Sequence, residues 1–334
     1  MAPLLAEEVI KHPAYNTVDW DLPVTTSGFC TVAQNRRGGP LKIYYEIHGT
    51  GPVKLVWVMG LNATLKDWKR QTKYFGHQHA SKYSCLVFDN RGVGRSDKPV
   101  SYYSTSEMAR DVVELVASLG WIDLAAPPTR SIHVIGASMG GMISQEIGML
   151  IPDRLASLTL SCTAPRLVRT GPFFENLRER AGMFIPRHVD VELERMAKSL
   201  FPEDFLAEPD TEYEDPAMNF PTKRDRFAAG MLHKRADTEA YTKKGFLMQV
   251  LACYFHQKSA EQLKSLGDQV GRERIFVCHG TRDLMLTFRH GEIIREEIGD
   301  GIQWKVFEGS GHMLGWEREH ELNKMLEEFV DRCS

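Results

Sequence analysis

Ile132-His133-Val134-Ile135-Gly136-Ala137-Ser138-Met139-Gly140-Gly141 is the stretch on which the reading of this chain turns. Ile132 to Ile135 is a short, mostly apolar run of the kind that forms a strand buried on both faces. A helix is expected over roughly 139–150. The turn joining them is so tight that Ser138 must take up a strained backbone conformation. Side chains two positions to either side would collide there, so Gly136 and Gly140 are required. The strain holds the Ser138 hydroxyl proud of the sheet, and the helix N-terminus beneath it favours developing negative charge. A glycine-rich turn with an incidental serine is the plainer alternative. The strand and helix on either side favour the functional one.

The same rhythm extends outward. Phe29 to Ala33 and Leu41 to His48 alternate as strands, joined by the turn Arg37-Gly38-Gly39-Pro40. Val53 to Met59, Cys85 to Phe88, Leu158 to Leu160 and Ile275 to Val277 are continuous apolar strands, and Ile302 to Phe307 is a last alternating one. Helices are expected near 65–80, 105–119, 139–150, 289–298 and 318–331, with Met108, Val112, Leu115 and Leu119 marking one amphipathic face. This βα order predicts an α/β fold with a mostly parallel sheet. It stops between about 165 and 270, a stretch rich in aromatics and methionines that includes Phe173, Phe174, Met183, Phe184, Phe201, Phe205, Phe220, Phe227, Met231, Phe246, Met248, Tyr254 and Phe255. That stretch is expected to be a helical insertion, with residues 1–164 and 271–334 forming the core.

Composition narrows the function. The 334 residues are 43% apolar and 25% charged, which excludes a disordered or fibrous chain. Lys and Arg number 41 against 44 Asp and Glu, a net charge of -3 without the basic excess of a nucleic-acid binder. The longest apolar runs are far short of the ~20 residues that span a bilayer. Glu7 and Glu8 interrupt any N-terminal secretory core. The 6 cysteines are scattered without metal-ligand spacing and read as small core hydrophobes. A reducing, cytoplasmic setting is expected.

A serine hydroxyl needs a general base to act as a nucleophile near neutral pH. Of the 12 histidines, His133 lies inside a buried strand, while His48 and His279 sit at strand ends and read as structural. His312 differs, because Gly309-Ser310-Gly311-His312 is a small-residue loop after the last strand, able to carry an imidazole back over the sheet. An acid should orient that imidazole. Asp283, in His279-Gly280-Thr281-Arg282-Asp283, follows the strand Ile275 to Val277 at the expected position. The rival position, after Leu158 to Leu160, reads Ser161-Cys162-Thr163-Ala164 and holds no acid. The chain order is therefore Ser138, Asp283, His312.

On these residues the chain resembles the α/β-hydrolase superfamily, nearest its cofactor-free, cap-bearing branch of lactonases, esterases and C–C hydrolases. The resemblance runs from about Leu41 to the C-terminus, with 165–270 matching in position and character alone. It implies an eight-stranded, mostly parallel sheet flanked by helices, with 165–270 as an inserted helical cap. Asp89-Asn90-Arg91-Gly92-Val93-Gly94-Arg95-Ser96-Asp97 is similar to that family's loop after the fourth strand, with Arg91 and Asp89 expected in local ion pairing. The resemblance also implies an oxyanion hole of backbone N–H groups from Met139 and from Leu61. The sequence departs from the family at Val58-Met59-Gly60-Leu61-Asn62, where Met59 stands in place of the usual His. Asn62 and Trp316 are expected as substrate-binding residues.

Ser at the nucleophile position argues against the aspartate-dependent dehalogenase and epoxide-hydrolase mechanism. Zinc-protease, P-loop and dinucleotide fingerprints are absent, so neither cofactor nor metal is expected. The resulting expectation is a serine hydrolase acting through an acyl-enzyme on a mid-sized apolar ester, lactone or thioester. Two alternatives stay open: acyl transfer or C–C cleavage on the same triad, and a ligand-binding receptor on a hydrolase scaffold. The partner expected is a small apolar molecule, with nucleic acid and membrane excluded. A homodimer is compatible with the sequence.

Overall fold

The computed structural model describes residues 3–169 and 187–334. Phe173, Phe174, Met183 and Phe184 lie outside the described residues. Eight strands form one sheet: β1 (Thr26–Val32), β2 (Leu41–His48), β3 (Val53–Val58), β4 (Tyr83–Phe88), β5 (Ile132–Ala137), β6 (Leu155–Ser161), β7 (Ile275–Gly280) and β8 (Gln303–Phe307). Their spatial order is β1-β2-β4-β3-β5-β6-β7-β8. β2 runs antiparallel to both β1 and β4, and every other pairing is parallel. The α/β class and the eight strands match the expectation from sequence.

The alternation along each central strand divides two cores between the two faces. Val56 and Val58 of β3, Val134 of β5 and Leu158 and Leu160 of β6 pack on one side. The helices Thr105–Ser118, Met139–Leu150, Ala260–Val270 and Phe288–Ile298 cover that side. Leu55 and Trp57 of β3, Val87 of β4, Ile135 of β5 and Phe276 of β7 point the other way, toward the final helix Glu319–Cys333. Each fully buried side chain of this size contributes about 1.5–3 kcal/mol, so both faces must be apolar and the strands read as continuous hydrophobic runs.

Between β6 and β7 the described helices are Val189–Leu200, Glu203–Ala207, Lys223–Ala236, Lys243–Tyr254 and Ala260–Val270. The last of these differs from the expected limit of the insertion at residue 270. Leu263, Leu266 and Val270 sit in the main core, and Gly148 approaches Leu266 so closely that a Cβ there would lie 2.6 Å from its Cδ1. The helix thus completes a core layer.

The N-terminus also differs from its expected place in the core. Ala6, Val9 and Ala14 pack against Phe220, Ala228, Ala229 and Leu232 of the insertion. The Leu4 N–H donates to Asp225 (2.9 Å) and the Ala6 N–H to Asp190 (2.7 Å). Tyr15 stacks on His233 with ring centroids 4.2 Å apart. No apolar pattern within residues 3–18 could reveal a partner some 200 residues away. No helix among the described residues is long and apolar enough to cross a membrane.

Candidate active site

The turn after β5 has the steric character its glycines require. A Cβ at Gly136 would lie 2.3 Å from the Gly140 carbonyl oxygen, and one at Gly140 would lie 2.1 Å from that of Val58. Ser138 between them has φ 57° and ψ -124°. Non-glycine residues in that region carry a cost of order 1–3 kcal/mol. The strain is held in place on both sides. The Ser138 N–H donates to the Ser161 carbonyl at the end of β6 (3.0 Å), and the Thr163 hydroxyl donates to the Ser138 carbonyl (2.7 Å). Ser138 Oγ makes no hydrogen bond to another described residue. Among the described non-glycine residues, four have positive φ, and Asn62, Ser138 and Cys162 of these gather at the carboxyl end of the parallel strands. Ala33, the fourth, follows β1.

Asp283 and His312 come together at the same rim. His312 Nδ1 lies 2.7 Å from Asp283 Oδ2, and both residues are buried. The other carboxylate oxygen, Oδ1, accepts the N–H groups of Met285 (2.9 Å) and Leu286 (2.8 Å). His279, read from sequence as structural, adds a further contact: its Nε2 lies 2.7 Å from the Leu286 carbonyl and 3.2 Å from Asp283 Oδ2. Burial alone would push the Asp283 carboxyl up. The charge of the neighbouring His312, with hydrogen bonds from His279 and His312, outweighs it and holds Asp283 well below the usual carboxylate range. An ionised Asp283 is the form that accepts Nδ1–H and leaves the His312 Nε2 lone pair free.

The backbone around His312 is pinned at three successive amides. The Gly311 N–H donates to Glu317 Oε2 (2.7 Å), the Met313 N–H to Glu317 Oε1 (3.1 Å), and the His312 N–H to the Leu200 carbonyl of the insertion (2.8 Å). Burial raises the Glu317 carboxyl to about 7 against the opposing pull of those two amides. Cys162 occupies the acid-free position after β6. Its Sγ, a ring nitrogen of His312 and a carboxylate oxygen of Asp283 lie within 4.8 Å of one another. Such a trio could in principle hold a metal ion. Burial, however, keeps the Cys162 thiol protonated well beyond its ordinary range, and a thiol ligand must be deprotonated. The hydrogen bond between His312 and Asp283 likewise occupies the donor atoms a metal would need.

The loop after β3 passes directly over Ser138. A Cβ at Gly60 would lie 3.5 Å from Ser138 Cβ and 4.0 Å from its Oγ. Met139 opens the helix Met139–Leu150, where a first-turn N–H has no acceptor within the helix. Leu61 is half-buried against the main core. The Asn62 N–H is taken by Gln249 Oε1 (2.9 Å). Trp316 meets Phe201 and Phe205 edge-on, with centroids 5.2 Å and 5.7 Å away, and stacks under Arg70. Its ring is therefore occupied by packing between the insertion and the core. The expected pairing of Arg91 with Asp89 is not formed. Arg91 instead makes a buried two-point contact with Asp111 (2.6 and 2.7 Å), and Asp89 accepts the N–H groups of Leu65 and Arg95. Asp111, 20 residues away in sequence in the helix Thr105–Ser118, competes better because its carboxylate meets the guanidinium side-on.

A family model described as the alpha/beta hydrolase fold matches residues 55–319. The chain belongs to this family. A putative carbamate hydrolase, RutD of Azorhizobium caulinodans, is 34% identical over 124 residues, 37% of this chain and 42% of that protein. The 3-oxoadipate enol-lactonase 2 of Acinetobacter baylyi is 28% identical over 113 residues, 34% of this chain and 38% of that protein. The chain thus spans about two-fifths of the length of these curated relatives. A solved hydrolase from Pseudomonas aeruginosa PA01 superposes with a TM-score of 0.67 at 20% identity, covering 92% of this chain and 99% of the other. In this fold Ser138, Asp283 and His312 follow the carboxyl ends of β5, β7 and β8, and His312 is hydrogen-bonded to Asp283 but not to Ser138.

Gln249, Glu317 and His279 are the contributors that motif reading misses. Gln249 alone leaves a trace in the sequence, as the one polar residue in Phe246-Leu247-Met248-Gln249-Val250-Leu251.

Proposed function

We propose that this alpha/beta hydrolase is a serine hydrolase of a mid-sized apolar ester, lactone or thioester, working through Ser138, His312 and Asp283. The observation that carries the reading is the 2.7 Å contact between His312 Nδ1 and Asp283 at the rim where the strained Ser138 projects. His312 Nε2 takes the Ser138 proton as Oγ attacks the substrate carbonyl. The oxygen of the tetrahedral intermediate is held by the N–H groups of Met139 and Leu61. Collapse expels the alcohol or thiol, protonated by His312, and leaves an ester on Ser138. Water, deprotonated by His312, then releases the acid and restores the serine. Asp283 fixes the productive tautomer and balances the imidazolium. The names of the curated relatives, a carbamate hydrolase and an enol-lactonase, support hydrolysis at a carbonyl.

The helices of residues 189–254 are taken as a cap over this site. Its aromatics serve chiefly as its own core: Phe201, Phe205 and Phe220 are buried in the insertion, while Tyr254 and Phe255 face solvent. The test is turnover of a p-nitrophenyl ester chain-length series by wild type and Ser138→Ala. The variant should remain folded and lose activity by about 10⁴-fold or more. Wild-type-like turnover by a folded Ser138→Ala defeats the proposal.

A further inference from the structure

Gln249 lies in the middle of the helix Lys243–Tyr254, surrounded in sequence by apolar residues, and is completely buried. A buried amide is costly unless both its ends are hydrogen-bonded. Here both ends find backbone groups, and the two groups belong to different core loops. Oε1 accepts the Asn62 N–H after β3 (2.9 Å), and Nε2 donates to the Arg91 carbonyl after β4 (2.9 Å). The helix is registered on the second loop by further contacts. A Cβ at Gly245 would lie 1.8 Å from the Gly92 carbonyl oxygen, and the Gly94 N–H donates to Ala240 just before the helix (2.8 Å).

The loop after β3 is gripped a second time. Asn90 Nδ2 donates to the Met59 carbonyl (3.1 Å). The Met59 carbonyl belongs to the peptide joining residues 59 and 60, and the Asn62 N–H to the peptide joining residues 61 and 62. The peptide between them carries the Leu61 N–H. Planar peptides leave only φ and ψ free, so holding the two neighbours restricts the directions open to that N–H. Asn62 is held with φ 53° at one end of this arrangement, and Gly60 passes over Ser138 at its centre.

We propose that Gln249 is a positioning residue through which the insertion aims the Leu61 N–H at the reacting oxygen. This rests on the serine-hydrolase reading and extends it. The requirement is chemically narrow. One side chain must present an acceptor to Asn62 and a donor to Arg91, which glutamine does. Methionine offers neither. An ionised glutamate offers only acceptors and sets one against the Arg91 carbonyl. A protonated glutamate restores the donor.

The experiment compares full-length wild type, Gln249→Met and Gln249→Glu on p-nitrophenyl butyrate, with inhibition by an alkyl trifluoromethyl ketone, which forms an oxyanion adduct on serine. Thermal melting and ketone titration give the folded, active fraction. Gln249→Met should lower kcat per active site about 10- to 100-fold, short of the roughly 10²–10³ lost with a whole oxyanion donor. KM should change little, and ketone affinity should fall in parallel with kcat. The kcat of Gln249→Glu relative to wild type should rise as pH falls and its carboxyl becomes neutral, a readout that remains decisive if Gln249→Met does not fold. Unchanged kcat and ketone affinity per active site, or a glutamate variant whose relative kcat does not respond to pH, overturns the assignment. Inactive Ser138→Ala alongside such a result confines the failure to Gln249, whereas active Ser138→Ala removes the underlying reading.

Discussion

At the scale of single residues, a buried carboxylate can steer an imidazole in two different ways. Asp283 binds the His312 ring, and Glu317 binds the backbone amides on either side of it. Their environments differ in sign. The His312 charge and hydrogen bonds overcome burial at Asp283, whereas burial prevails at Glu317 and raises it from 4.5 to about 7. Linkage then fixes a pH signature for Glu317. The unfolded chain ionises this group near 4.5 and the folded one near 7, so between those values the unfolded state holds fewer protons. The stability that protonated Glu317 permits is complete below the unfolded value and is lost as pH rises through about 7. Glu317→Gln keeps a neutral side chain there at every pH. The stability of Glu317→Gln relative to wild type should therefore increase from pH 4.5 to 7 and level off above, as read from urea midpoints. A difference that is flat or falls over this range contradicts the environment described here.

Single residues also mark what a sequence can disclose about a site. Ser138 and His312 are legible because their glycine-rich surroundings announce special backbone geometry. Asp283 is legible from its position after a buried strand. Glu317 and Gln249 are not, because what singles them out is the set of backbone groups they meet, and those belong to loops the sequence does not bring near them. The pairing of Arg91 is misread for the same reason, since Asp111 reaches it from another element.

At the scale of elements, strands are the most legible part of the fold. The runs at β3, β4 and β5 are apolar because both faces of the sheet are covered, and this burial shows in sequence without any partner being known. The N-terminal arm carries no such mark. Its short helix Ala6–Lys11 is stabilised by what it lies against, the helix Lys223–Ala236. Removing residues 1–21 should uncover Phe220, Ala228 and Leu232 and cost about 1.5–3 kcal/mol for each large side chain exposed. Hydrogen exchange should report the loss as reduced protection of residues 223–236 with β5 unaffected. Equal loss of protection in β5 would show that the arm supports the sheet and not the insertion.

At the scale of the whole molecule, one feature recurs. The segment between β6 and β7 reaches two loops at the carboxyl edge of the sheet. It supplies the Leu200 carbonyl to the His312 amide and the Gln249 amide to the loop over Ser138. The loops that carry His312 and Leu61 are thereby held by one and the same segment of the chain. All of this depends on Ser138 being the nucleophile. Labelling the wild-type protein with a fluorophosphonate and mapping the adduct by mass spectrometry measures that most directly. One adduct is expected, on Ser138, and it should be lost in His312→Ala. An adduct on another serine, or labelling that survives intact without His312, would contradict it.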